Sequence, residues 1–302
     1  MDLTKATLLS ATLASLLQPA SAALVFMDDF STTGQSDDVN FQYTAGRQTG
    51  DVGNLQYRQG NGALAGTITG TIANEAANGF KTQIGNAGGP GTLWVVGGNP
   101  AQAVGSVSPE HNFTESGGVG GYLSISFTLD PVTGSAGTSG DWGAITLGAG
   151  DNASFGASGS GARGQGIISS AAHFGILFRD NGQFQAFDGS AQVGGAVYDA
   201  TPATPTSHTI ELRITGVGDG NPWDGSGDAL IDVYADGGAS PFYSFTKTGG
   251  YTSNYLTLQG FGGGSGNTIS QFDNLRVETV PEPSAGLLAG VVLAGALVRR
   301  RR

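Results

Sequence analysis

Asp219-Gly-Asn221-Pro-Trp223-Asp224-Gly-Ser-Gly-Asp228 gathers three carboxylates, an amide oxygen and an indole into one short stretch. Hard oxygen ligands at that density suit Ca²⁺, so Asp219, Asn221, Asp224 and Asp228 are the candidate ligands of a structural calcium ion. The stretch lacks the twelfth-position Glu and the glycine placement of a helix-flanked calcium loop. A polar hairpin accounts for the same residues. Trp223 is the tryptophan best placed to be exposed, where it could stack on a sugar ring while an ion orders the loop around it. Trp94 and Trp142 fit a packed core.

Other chemistry is sparse. Glu110 and Glu115 flank His111 in a Pro-Glu-His-Asn loop. They have the residue types of an acid/base cluster, and a solvated loop explains them more simply. His111, His173 and His208 share no metal-ligand spacing. The absence of cysteine excludes disulfides, zinc-thiolate sites and thiol nucleophiles together. No Gly-x-Ser-x-Gly elbow has a credible histidine and acid, and the glycine-rich stretches lack a phosphate-loop lysine. The expectation is a protein that is not an enzyme.

The two ends carry clearer signals. Residues 1–22 have Lys5 as a weak positive start, an apolar run from Thr7 to Leu17, a helix-breaking Pro19 and the small residues Ala20-Ser21-Ala22. This is the pattern of a secretory signal peptide, with signal peptidase cutting between Ala22 and Ala23. Residues 280–302 form the other end. Val280-Pro281-Glu282-Pro283 precedes an uncharged apolar segment at 285–298, and Arg299, Arg300, Arg301 and Arg302 close the chain. As a helix the segment is about 21 Å long, short against a hydrocarbon core of about 30 Å. Snorkelling arginines extend its reach and hold that end in the cytoplasm. The expected result is transient membrane insertion through a C-terminal helix. The prolines stop helix propagation and keep Pro281–Pro283 extended for a protease.

Between the ends, residues 23–279 read as one β-sandwich domain. Leu123, Ile125, Phe127 and Leu129 alternate onto one face, as do Ile210, Leu212 and Ile214. Further strands are expected at Leu24–Phe26, Trp142–Leu147, Phe174–Phe178, Gln183–Phe187, Ala229–Tyr234, Phe242–Phe245, Tyr255–Leu258 and Phe272–Val277. Asp180-Asn181-Gly182 forms a hairpin turn, Asp130-Pro131 ends the strand before it, and Gly156–Gly166 and Gly260–Gly266 are loops. Residues 46–90 have weak signals and fit a sheet edge. No amphipathic helix interrupts the pattern. The fold class is therefore all-β, a two-sheet antiparallel sandwich. A formal net charge of -11, with lysine only at positions 5, 81 and 247, excludes nucleic acid as a partner and repels anionic lipid.

Two resemblances sharpen this reading. Pro281-Glu282-Pro283, the Gly/Ala/Leu/Val span and the terminal arginines resemble the PEP-CTERM sorting signal of Gram-negative bacteria. The resemblance implies recognition by exosortase, removal of the tail, and passage from the inner membrane to the cell surface or extracellular matrix. The run from HTIELRI through ALIDVYADGG and YLTLQGF to QFDNLRVE resembles the end of a concanavalin A-like or laminin-G-like jelly roll. It implies that Asp28-Asp29-Phe30, near the start, belongs to a first strand paired with the last. Glycoside hydrolases of that fold resemble one another in a Glu-x-Asp-x-x-Glu strand, and that spacing is absent here. The expected function is that of a non-enzymatic surface or matrix protein. The alternative is a lectin-like module whose partner is extracellular polysaccharide, and a polysaccharide-degrading enzyme ranks behind both.

Overall fold

A computed structural model describes residues 22–34, 38–59, 80–86, 89–97, 105–118, 120–133, 142–149, 174–179, 181–189, 191–200, 207–218, 221–223, 227–249, 253–261 and 268–282. In chain order the strands are β1 (Ala23–Asp28), β2 (Gln48–Thr49), β3 (Tyr57–Gln59), β4 (Phe80–Asn86), β5 (Gly89–Gly97), β6 (Gly105–Pro109), β7 (Tyr122–Thr133) and β8 (Trp142–Ala149). They continue with β9 (Phe174–Arg179), β10 (Gln183–Asp188), β11 (Ala191–Val197), β12 (His208–Val217), β13 (Asp228–Ala235), β14 (Tyr243–Lys247), β15 (Tyr255–Phe261) and β16 (Thr268–Val280). Among the described residues the only helical element is one irregular turn at Tyr43–Arg47.

The strands form two antiparallel sheets, which confirms the all-β jelly-roll sandwich. Sheet A runs β14-β13-β12-β7-β16-β1-β2, with β5 also on β16 and β4 on β5. Sheet B runs β11-β10-β9-β8-β15-β6-β3. The first strand pairs with the last, Phe26 opposite Val277 and Asp28 opposite Leu275. Strict alternation explains the core. Leu123, Ile125, Phe127 and Leu129 of β7, and Ile210, Leu212 and Ile214 of β12, are all buried between the sheets. They meet Ile145, Leu147, Ile176, Phe178 and Leu258 of sheet B in one cluster. Phe127 packs edge-to-face on Phe178, with ring centroids 6.4 Å apart.

Several expectations are corrected. β7 does not stop at Asp130-Pro131 but runs to Thr133. Its pairing with β16 shifts register between Ile269 and Gln271, and the irregularity accommodates a proline that cannot donate to the ladder. Gly260 belongs to β15, paired with Gly143, rather than to a loop. Trp142 is buried as expected, in a second core cluster with Ala144, Leu177 and Phe187. Residues 156–166 and the Asp180 of the hairpin turn lie outside the described residues. Gly182, at φ +77°, supplies the left-handed conformation that the turn needs.

Candidate functional site

β16 is central to sheet A and ends at Val280, opposite Tyr122. A side chain at Gly117 would overlap the Val280 carbonyl, so the glycine turn before β7 packs backbone to backbone on the end of β16. Pro281 and Glu282 follow outside any strand, and Glu282 is exposed. Thus a half-buried Pro281 and an exposed Glu282 leave the body directly from a strand that is paired to its last residue.

Residues 279–302 match the PEP-CTERM protein-sorting motif. The motif implies an exported, exosortase-targeted protein that passes through the membrane toward the cell surface. It overlaps β16 at Thr279 and Val280, so sorting tail and sandwich meet without a linker. Pro283, the apolar segment and the four arginines lie outside the described residues, as do residues 1–21. Among the described residues no helix is long and apolar enough to cross a membrane.

No curated protein matches the chain. Among solved structures it is similar to a sialidase, at 11% identity and TM-score 0.41, covering 66% of this chain and 16% of that one. It is also similar to peanut lectin with a bound 9-residue peptide, at 12% identity and TM-score 0.41, covering 66% and 90%. A third is an endo-β-galactosidase from Clostridium perfringens, at 9% identity and TM-score 0.47, covering 87% and 64%.

The sequence-predicted calcium loop divides. Asp219 and Asp224 lie outside the described residues. Asn221 Oδ1 accepts the backbone N–H of Trp223 at 3.0 Å, and Asp228 Oδ1 accepts that of Gly249 at 2.9 Å. Both groups thus shape the β12–β13 hairpin and its neighbour. Among the described residues no three His, Asp or Glu side chains gather to hold a metal. Trp223 is not the exposed platform expected: it is only 5% accessible and belongs to the main core. Its indole N–H points to the Glu115 carbonyl at 3.4 Å. Burial of the large indole outweighed the polar character of its neighbours.

The Glu110–Glu115 loop is more ordered than a solvated one. Glu110 pairs with Arg58. His111 Nε2 lies 2.9 Å from Glu115 Oε1, and its ring packs edge-on against Phe113. His208, at the start of β12 as expected, sits between Asp236 (Nδ1 to Oδ2, 2.8 Å) and Asp199 (Nε2 to Oδ2, 3.6 Å). These contacts fasten loops to strands. His173 lies outside the described residues.

Sequence reasoning missed two clusters. The first is a buried network around Asp28. Tyr57 donates its hydroxyl to Asp28 Oδ2 at 2.8 Å, Gln48 Nε2 donates at 2.9 Å and Arg47 Nη2 at 3.1 Å. Arg47 Nε lies 2.8 Å from Oδ1, an ion-pair contact in which the N–H points off the oxygen. Phe30 N–H also donates to Oδ1, at 2.8 Å. Burial, and next the adjacent Asp28 carboxylate, push the Tyr57 phenol well above its ordinary range.

The second is a cleft of about 130 Å³ on the outer face of sheet A, lined by Thr92, Thr128, Asp130, Gln271 and Asp273 among others. It lies where β16 exchanges β5 for β1 as its neighbour. Asn274, at φ +51°, forms a bulge there opposite β7, which turns the strand locally. Trp94 lies beside the cleft, opposite Gln271. It is half-buried rather than in the core, and its Nε1–H donates to Thr92 Oγ1 at 2.7 Å. Alternation predicts which residues of β5, β7 and β16 face outward. It does not predict that these three strands are neighbours.

Burial raises the Asp273 carboxyl to about 6, with Asp29 and Asp28 adding repulsion against a partly offsetting bond from the Asn274 N–H. The native state therefore binds this proton more tightly than the unfolded chain, whose aspartate titrates near 3.8. Stability falls as pH rises from about 4 to about 6, and the penalty persists above that. The full shift corresponds to about 3 kcal/mol, of which a half-exposed group keeps about 1 kcal/mol after solvent screening. Asp273→Asn is expected to raise the thermal midpoint at pH 7.5 and to leave it unchanged at pH 4. Melting curves across that range check this, and an equal effect at both pH values contradicts it.

Proposed function

We propose that the chain is exported with cleavage between Ala22 and Ala23, held briefly in the inner membrane by its tail, and cut by exosortase at Pro281–Pro283. The sandwich then acts without catalysis at the cell surface or in extracellular polymer. One pairing carries the reading: Ala23, the first residue of β1, lies opposite Thr279 of β16. The two proposed processing points thus sit side by side at one pole of the sandwich. A body tethered there presents the same pole to the membrane at both steps, and both cuts leave every described strand intact.

Intact-mass measurement on protein from the native host tests this. The expected species begins at Ala23 and lacks Arg299–Arg302. A mature form that keeps the four arginines overturns the exosortase step. The non-enzymatic role is tested separately by incubating the protein with a panel of polysaccharides, where new reducing ends or unsaturated products would contradict it.

A further inference from the structure

We propose that the outer face of sheet A carries a binding site for a neutral, hydroxyl-rich polysaccharide, built from Trp94, Thr92, Thr128, Asp130, Gln271 and Asp273. This deepens the surface role proposed above by giving the sandwich a ligand.

The residues supply the groups that a sugar ring requires. An indole offers an apolar face for stacking on ring C–H groups. Its N–H is already committed to Thr92, which fixes the ring beside the cleft. Carboxylates accept hydrogen bonds from paired hydroxyls, the Gln271 amide both donates and accepts, and the threonine hydroxyls do the same. All six stand on strands rather than loops: Thr92 and Trp94 on β5, Thr128 and Asp130 on β7, Gln271 and Asp273 on β16. Gln271 lies directly opposite both Trp94 and Asp130, and Asp273 opposite Thr128. A site built on three hydrogen-bonded strands is pre-organised, so little ordering is required on binding.

Charge and size narrow the ligand. Two carboxylates in the cleft, in a chain of formal net charge -11, disfavour uronate or sulfated polymers. A volume of about 130 Å³ suits one residue of a polymer lying across the sheet better than an enclosed small molecule. Placement favours access too. Asp273 lies seven residues before Val280 on β16, roughly 20 Å along an extended strand from the proposed membrane-facing pole.

The test is binding of the purified full chain to an array of immobilised neutral polysaccharides, with polygalacturonate as the acidic comparison. The expected result is binding to at least one neutral member and none to polygalacturonate. Trp94→Ala should weaken that binding about tenfold, the size of one lost stacking contact. Trp94→Phe, which keeps a stacking face, should retain most of it, and it guards against misreading a folding defect. Absence of binding across the neutral members overturns the proposal. So does binding unchanged in Trp94→Ala, or equal binding of polygalacturonate. Because the unprocessed chain is used, failure here leaves the tail-processing reading untouched, and failure of processing leaves this one untouched.

Discussion

Asp28→Ala is expected to destabilise the sandwich by about 3–5 kcal/mol, the usual cost of removing one partner from a buried ion pair. Asp28 is fully buried and Arg47 nearly so. Without the carboxylate, the Arg47 guanidinium keeps only the carbonyls of Phe41 and Val39 as acceptors. The Tyr57 hydroxyl loses its acceptor, as does the N–H of Phe30, which sits at φ +50°. Gln48 still bonds the Leu55 carbonyl. The network ties the chain from residue 29 to residue 57 onto β1, so its loss should loosen β2 and β3 along with it. Glu278→Ala is the fitting comparison. It breaks the Arg276–Glu278 pair at 2.5 Å, which is only partly buried, and should cost no more than about 1 kcal/mol. Urea unfolding of the two variants decides the matter, and similar midpoints would refute the role given to Asp28.

Replacing Pro281, Glu282 and Pro283 together by alanine is expected to abolish release of the body from the membrane. In the proposed tail, Pro281 and Pro283 would stop a helix formed by the apolar segment from propagating back to β16. With alanines, helix can propagate to Val280, and the segment that a protease must bind in extended form is lost. The variant should accumulate in the membrane fraction with Arg299–Arg302 retained, as read by fractionation and intact mass. Its thermal midpoint should match that of the parent, because no described strand extends beyond Val280. Release at the parental rate would show that the motif is not what the protease reads.

Local pattern was enough for the strands with a strict period of two. Leu123–Leu129 and Ile210–Ile214 could be assigned to a buried face because a one-residue shift would have placed every one of these side chains in water. The sorting tail was readable from a short stretch, whereas the pairing of first and last strands came from the jelly-roll resemblance rather than from alternation. β2 to β6 were not readable locally: β2 and β3 are only two and three residues long, and β5 and β6 are held by β16 and β15, far away in sequence.

The candidate sites divide in the same way. The Asp219–Asp228 stretch and Trp223 drew attention because polar and aromatic residues are adjacent there in sequence, yet the structure sends the indole into the core. Asp28, Arg47, Gln48 and Tyr57 come together because β1 must pack against the loops that follow it. Trp94, Asp130, Gln271 and Asp273 meet because β5, β7 and β16 are hydrogen-bonded neighbours, although more than 170 residues separate Trp94 from Gln271. The sequence alone determined the strand period, the acidic surface and the tail, since each depends on neighbouring residues. Only the tertiary structure decided which outward-facing side chains share a cleft and which carboxylate is buried with an arginine. Strand order is set by the burial of whole sheet faces, and no local stretch encodes that.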